Sequence, residues 1–257
     1  MSIKLSIIVP SIRPENLEKL YWSIVESTKE EFELILIGPY QPPGKLYGRV
    51  NVHWIQSWRS PNAAQQQGLL EATGEYITFA TDDGVFLPGA LDESFENLQW
   101  CNTHDIPTGK EIVVGKYLEG DSPNPDMTKD DYYRFKYHKA YRLPAVPPDG
   151  LIFNCGIISR DFLIELGGWD CSFEATTCAH ADLGTRAKMA GADMILNPNP
   201  LFKCSHQPGK SGDHGPVHEA MKRDLKTFKN MYSKPRQIKI DINNWKSTEE
   251  KWSRRFR

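Results

Sequence analysis

The chain has 257 residues, of which 39% are hydrophobic and 25% are charged, and its formal net charge is −2. These values are ordinary for a folded globular protein and give no general reason to expect nucleic-acid binding. No apolar run approaches the roughly 18 residues that a membrane-spanning helix needs.

The apolar N-terminal segment lacks a small-residue cleavage site, so we interpret it as a first strand and not as a signal peptide. The five cysteines are scattered and form no CxxC pair. This pattern favours reduced thiols in a cytoplasmic protein over a disulfide framework.

The first hundred residues alternate between short apolar runs and helical patterns. The predicted strands cover 5–9, 32–37, 51–55 and 76–80, and the predicted helices cover 14–28, 61–72 and 87–99. This alternation predicts an α/β fold with a mainly parallel central sheet of nucleotide-binding topology, flanked by helices. We assign residues 1–100 to a nucleotide-binding half and 101–233 to a second half of one domain.

Residues 101–150 are irregular and aromatic, with one clear predicted strand at 112–117. A long irregular segment in a compact domain is often a binding loop or a lid. Its aromatic side chains could stack on a sugar or a base, or could form a small satellite core. They are Tyr132, Tyr133, Phe135, Tyr137 and Tyr141.

The second half continues with a predicted strand at 151–159, a helix at 160–166, the sequence Gly167-Gly-Trp-Asp170 and a helix around 181–190. The basic, tryptophan-containing tail, residues 234–257, could contact an anionic membrane surface or a partner. The alternative is a solvated or docked C-terminal helix.

A pair of carboxylates, Asp82 and Asp83, stands where the strand at 76–80 ends. Ligands of open α/β sheets bind beyond the carboxyl ends of the strands, and adjacent aspartates suit a hard divalent cation. The sequence Asp-Asp-Gly is equally typical of a turn, so both interpretations stay open at this point.

An ordered series of short motifs resembles the GT-A fold glycosyltransferases, and most closely their large inverting family 2. The resemblance covers about residues 3–207. Its parts are Ser6–Ser11, Phe32–Ile37, Asn62–Ile77, Thr81–Asp83, Pro88–Leu91, Gly167–Asp170, Asp182–Arg186 and Ala190–Gly191.

The resemblance implies a metal-dependent, inverting transfer of a sugar from a nucleotide-diphosphate donor to a glycan or polysaccharide acceptor. The implied cofactor is Mn²⁺ or Mg²⁺, and the donor is a UDP-sugar first, with GDP or dTDP as further choices. The implied metal ligands are Asp83, Asp82 and His206. The implied nucleotide contacts are Pro10, Ser11, Arg13, Asn62 and Asp82.

Several positions depart from the family pattern. Relatives usually place the general base in a Glu-Asp pair, where this chain has Ala179 and His180, so either His180 or Asp182 is the expected base. Gly38-Pro39 replaces an acid that recognises uracil in many relatives, and Gln65 replaces a common arginine.

Two other functions are weighed against this one. A sugar-nucleotide pyrophosphorylase should carry a glycine-rich loop after the first strand, which the segment 10–14 lacks. A catalytically silent GT-A domain that binds glycans or scaffolds partners stays open because Ala179 and His180 replace the acidic pair.

The segment 204–218 holds His206, His214 and His218, but the spacing of its cysteine and histidines does not fit a zinc finger. Residues 210–213 could form a flap over the diphosphate.

Overall fold

The computed structural model describes residues 3–104, 108–119, 143–147, 152–153, 155–204, 215–234 and 238–256. The strands are β1 Leu5–Pro10, β2 Phe32–Gly38, β3 Val52–Gln56, β4 Tyr76–Phe79, β5 Gly84–Phe86, β6 Glu111–Glu119, β7 Gly156–Ser159 and β8 Asp193–Cys204. The helices are α1 Leu17–Ser27, α2 Pro61–Glu71, α3 Ala90–His104, α4 Arg160–Glu165, α5 Thr176–Met189 and α6 Gly215–Met231.

The strands of the described residues form a single sheet in the order β3-β2-β1-β4-β7-β6-β8-β5. Strands β3, β2, β1 and β4 are parallel, and β6 is parallel to β8. Strands β7 and β5 run antiparallel to their neighbours. The predicted mainly parallel α/β sheet is therefore present, and the carboxyl ends of β1, β2 and β4 meet at one edge.

Helices cover both faces of this sheet, because alternate residues of a strand point to opposite sides. Ile8 and Ile35 pack on one side with α2, α4, α5 and α6. Ile7 and Leu34 pack on the other side with α1 and α3. Both faces of the central strands are thus buried, which explains their continuous apolar sequence.

Element bounds differ from the sequence prediction in the second half. The helix expected around 181–190 begins at Thr176, and the strand expected at 151–159 covers only Gly156–Ser159 within the described residues. Strand β8 is not predicted from the sequence pattern, because Pro198 and Pro200 interrupt that pattern and proline rarely sits inside a sheet. The aromatic residues between 132 and 141, for which a stacking or core role is expected, and the flap expected at 210–213 lie outside the described residues.

The tail is docked on the protein but is not an α-helix. Its only regular element among the described residues is one 3₁₀ turn, Asn244–Ser247. Ile238 and Ile242 pack against the core, and Trp252 is only 3% exposed. Among the described helices, none has the length and apolar character needed to cross a membrane.

Candidate functional site

A cavity of about 370 Å³ lies at the sheet edge where β1, β2 and β4 end. Its wall includes the segments 10–13, 37–39 and 80–83 that follow these strands. Side chains from α2, α5, α6 and the C-terminal segment complete the wall. This is the position at which open α/β sheets bind their ligands.

Asp82 organises the loop after β1. One of its carboxylate oxygens accepts hydrogen bonds from the backbone N–H groups of Ile12 and Arg13, both at 2.7 Å. The other oxygen pairs with the Arg13 guanidinium at 2.6 Å. Burial raises the pKa of Asp82, against the opposing effect of Arg13 and the two amides. Because both oxygens are engaged, Asp82 holds the loop at the rim of the cavity.

The close packing of this loop also explains a glycine at the end of β2. A Cβ atom on Gly38 would lie 1.7 Å from the carbonyl oxygen of Ser11. The end of β2 therefore has no room for a side chain at position 38.

Asp83 is half-buried and lines the cavity beside Cys204, whose Sγ lies 3.9 Å from a carboxylate oxygen of Asp83. Within the described residues, no group of three His, Cys, Asp or Glu side chains is arranged to hold a metal ion. The expected ligand His206 lies outside those residues. Magnesium ions are commonly bound by one or two carboxylates together with substrate phosphates, and a single accessible aspartate fits that kind of site.

His180 projects from α5 into the same cavity. Its ring packs against Phe79, with 4.4 Å between the centroids, and its Nε2 atom lies 3.4 Å from Oε1 of Gln65. The side chain is 3% exposed, and burial lowers the pKa of His180 to about 3. The imidazole is therefore neutral at physiological pH and is a weak base in the protein alone.

Asp182 lies on the opposite face of α5, because residues two apart on a helix do not share a face. One of its carboxylate oxygens pairs with Arg186 at 2.8 Å, and the other accepts from the Tyr232 hydroxyl at 2.6 Å. Burial raises the pKa of this fully buried carboxyl, and Arg186 opposes that effect. Both oxygens are engaged away from the cavity, so the geometry gives Asp182 a structural role.

Arg186 extends this network to the Gly-Gly-Trp-Asp loop. Its guanidinium donates to the carbonyl oxygens of Leu166 at 2.6 Å and Gly168 at 2.8 Å. Asn62 acts on the same loop from α2, because its buried amide donates to the carbonyl oxygen of Asp170 at 2.6 Å. The conspicuous polar residues Asn62, Asp182 and Arg186 thus hold the backbone that supports α5.

The structure brings together Pro10, Ser11, Arg13, Asp82, Asp83 and His180 at one cavity. Sequence reasoning did not identify Arg59, Arg255 and Phe256, which also line it. All three lie outside the strands and helices, where no local sequence pattern marks a cavity wall.

No protein-family model matches this sequence, and no curated protein matches it. Among solved structures, the chain is similar to S. aureus TarS, a family 2 glycosyltransferase, with a TM-score of 0.57 and 15% identity over 86% of this chain and 39% of that one. The complexes of TarS 1–349 with UDP-GlcNAc and with UDP give a TM-score of 0.57 and 14% identity, covering 65% of their chain.

The chain thus spans less than two thirds of these proteins. At such low identity the likeness concerns the fold, and it confirms the expected α/β architecture of GT-A type.

Proposed function

We propose that the chain is a glycosyltransferase that moves a sugar from a nucleotide-diphosphate donor to a glycan hydroxyl, with inversion at the anomeric carbon. One observation carries the proposal. The cavity at the carboxyl ends of β1, β2 and β4 combines arginines, an accessible aspartate and a neutral histidine. The fold is similar to that of TarS, which has been crystallised with UDP-GlcNAc and with UDP.

The residues at the rim would bind the nucleotide. The loop 10–13, which Asp82 fixes, presents Ser11 and Arg13 to the cavity, and Arg13 supplies positive charge near the sheet edge. Asp83, together with His206, would hold Mn²⁺ or Mg²⁺, which when bound acts as a Lewis acid on the diphosphate. Asp82 would act on the nucleotide through the loop that it organises.

The transfer itself requires one proton acceptor near the reacting atoms. The acceptor oxygen forms a bond to the anomeric carbon, the bond from that carbon to the phosphate oxygen breaks, and the nucleoside diphosphate leaves with its electrons. His180 would take the proton of the attacking hydroxyl. A bound diphosphate brings negative charge into the cavity, and a nearby negative charge raises the pKa of a histidine.

A second candidate function is a catalytically silent GT-A domain that binds glycans or scaffolds partners. The specific observation in its favour is the burial of His180, with its pKa of about 3, at the position of the usual acidic base. In this case the cavity would bind a nucleotide or a glycan without turnover.

The two functions differ in a binding and turnover experiment. Calorimetry with UDP, GDP and dTDP, with and without Mn²⁺, would measure nucleotide binding, and labelled UDP-GlcNAc with an acceptor library would measure transfer. Binding and transfer would support the enzyme, and binding without donor hydrolysis or transfer would support the silent domain. The absence of binding by every nucleotide would refute the proposed transferase.

Asp83→Asn tests the proposed metal contact. We expect Mn²⁺-dependent nucleotide binding to weaken by at least about tenfold, because the accessible carboxylate loses its charge. Asp193→Asn is the matched control, since this carboxylate is exposed at the start of β8. Equal Mn²⁺ dependence in the Asp83 variant and the wild type would contradict the assignment.

A further inference from the structure

The C-terminal segment 248–256, which we call the C-terminal strap, runs along the wall of the cavity. Next to α2, Lys251 forms a parallel bridge with Trp58, and the backbone N–H of Trp252 donates to the Trp58 carbonyl oxygen at 2.8 Å. The ring of Phe256 meets that of Trp58 edge-on, with 5.1 Å between the centroids. One side of the strap is thus attached to the segment that follows β3.

A second attachment lies next to α5. Nε1 of Trp252 donates to the Glu174 carboxylate at 2.5 Å, and Arg254 pairs with the same oxygen at 2.8 Å. The Trp252 side chain packs against Ala175 and Ala220. Attachment at both sides fixes the strap between the two elements that enclose the cavity.

Arg59 belongs to this arrangement and is a positioning residue. Its guanidinium donates to the Thr248 hydroxyl at 3.0 Å and to the Thr248 carbonyl oxygen. It also lies over the Trp245 ring, 5.3 Å from the centroid. Arg59 also pairs with the Glu250 carboxylate at 3.6 Å, so its charge is directed at the strap.

The strap places Arg255 in the cavity wall, where its charge matters for the substrate. Within the described residues, the basic side chains of this wall other than histidine are Arg13, Arg59 and Arg255. Arg13 reaches this wall from the loop after β1, Arg59 from the segment after β3, and Arg255 from the strap. A diphosphate brings at least two negative charges to the wall, and a cation on a segment that is attached at both sides is held in place to meet them.

We propose that Arg255 binds the phosphate groups of the nucleotide donor and that the strap is part of the substrate site. A guanidinium presents paired N–H donors that match phosphate oxygens in geometry and charge. This inference rests on the proposed function, since it assumes a donor with a diphosphate. It gives the basic segment 248–256 a role in the substrate site.

The test compares UDP with uridine in Arg255→Gln, Arg255→Lys and the wild type, by calorimetry on the full chain. We expect Arg255→Gln to weaken UDP binding by about 10- to 100-fold, as for the loss of a charged hydrogen bond. Uridine binding should be unchanged, because uridine has no phosphate. Arg255→Lys should retain part of the UDP affinity, because it keeps the charge.

Lys251→Gln is the matched control, because it removes the same charge from an exposed side chain of the same strap. An equal loss of UDP and uridine binding in Arg255→Gln would overturn the proposal in favour of a structural role. An equal loss in Lys251→Gln would also overturn it, by showing a general charge effect. Unchanged UDP binding in Arg255→Gln would refute the role of Arg255 and leave the proposed function standing. If the wild type binds no nucleoside diphosphate, both the role of Arg255 and the proposed function are refuted.

Discussion

Asp182→Asn distinguishes a structural aspartate from a catalytic one. In the structure, the Asp182 carboxylate pairs with Arg186 at 2.8 Å, and both side chains are at most 4% exposed. Removing one partner of a buried ion pair typically costs about 3–5 kcal/mol, because the remaining charge stays buried without compensation. For a domain of this size, that corresponds to a decrease in Tm of roughly 6–20 °C.

Urea unfolding and thermal unfolding would measure this loss, and transfer assays at 15–20 °C, chosen to keep the variant folded, would measure turnover. We expect turnover within about tenfold of the wild type, because Asp182 acts on the Gly-Gly-Trp-Asp loop and not on the reacting atoms. Asp161→Asn, at a side chain that is 97% exposed, is the control and should change neither quantity. Complete loss of turnover at unchanged stability would refute the structural assignment and return Asp182 to the chemistry.

Three other predictions follow from the geometry of single residues. A Cβ on Gly38 would collide with the Ser11 carbonyl oxygen, so Gly38→Ala should weaken nucleotide binding at least about tenfold. Gly44→Ala is the control and should bind the nucleotide normally, because there is open space around its Cβ. Equal nucleotide affinities of the two variants would contradict the packing argument. Burial raises the pKa of Asp224 to about 6, so the native state binds this proton more readily than the unfolded state. The free energy of unfolding should therefore fall as the pH rises from about 4 to about 6. In Asp224→Asn, urea unfolding at a series of pH values should show a smaller fall over this range. The same fall in the variant and the wild type would contradict the raised pKa of Asp224. Because burial lowers the pKa of His180 to about 3, the pH profile of kcat/KM should show no inflection from His180 near pH 6.5. If the wild type shows an inflection there and His180→Gln removes it, the pKa of His180 is not low.

The first half of the fold could be predicted from the sequence because its signals are local. The strands β1, β2 and β4 are continuous apolar runs, and helix α1 between β1 and β2 shows apolar residues at helical spacing. Such patterns arise directly from burial on two faces of a parallel sheet. The cavity at their carboxyl ends then follows from the topology.

The roles of individual polar residues could not be predicted in the same way. His180 and Asp182 are two residues apart on one helix, yet one faces the cavity and the other faces a buried arginine. The sequence places both at the expected position of the base, and only the packing of α5 separates them. The same holds for Asp82, whose partners Ile12 and Arg13 lie about seventy residues earlier.

The low pKa of His180 connects donor binding to chemistry. Without a ligand, burial keeps the imidazole neutral and weakly basic, so the protein alone has little capacity to take a proton from a hydroxyl. In the proposed reaction, the diphosphate supplies the negative charge that stabilises an imidazolium, and its charge grows as the bond to the sugar breaks. His180 would therefore become more basic as the bond between the sugar and the leaving diphosphate breaks. A carboxylate base at this position would also gain basicity, but it would repel the diphosphate in the donor complex, whereas a neutral imidazole does not. A neutral histidine base therefore requires less compensating positive charge near the donor than a carboxylate base would.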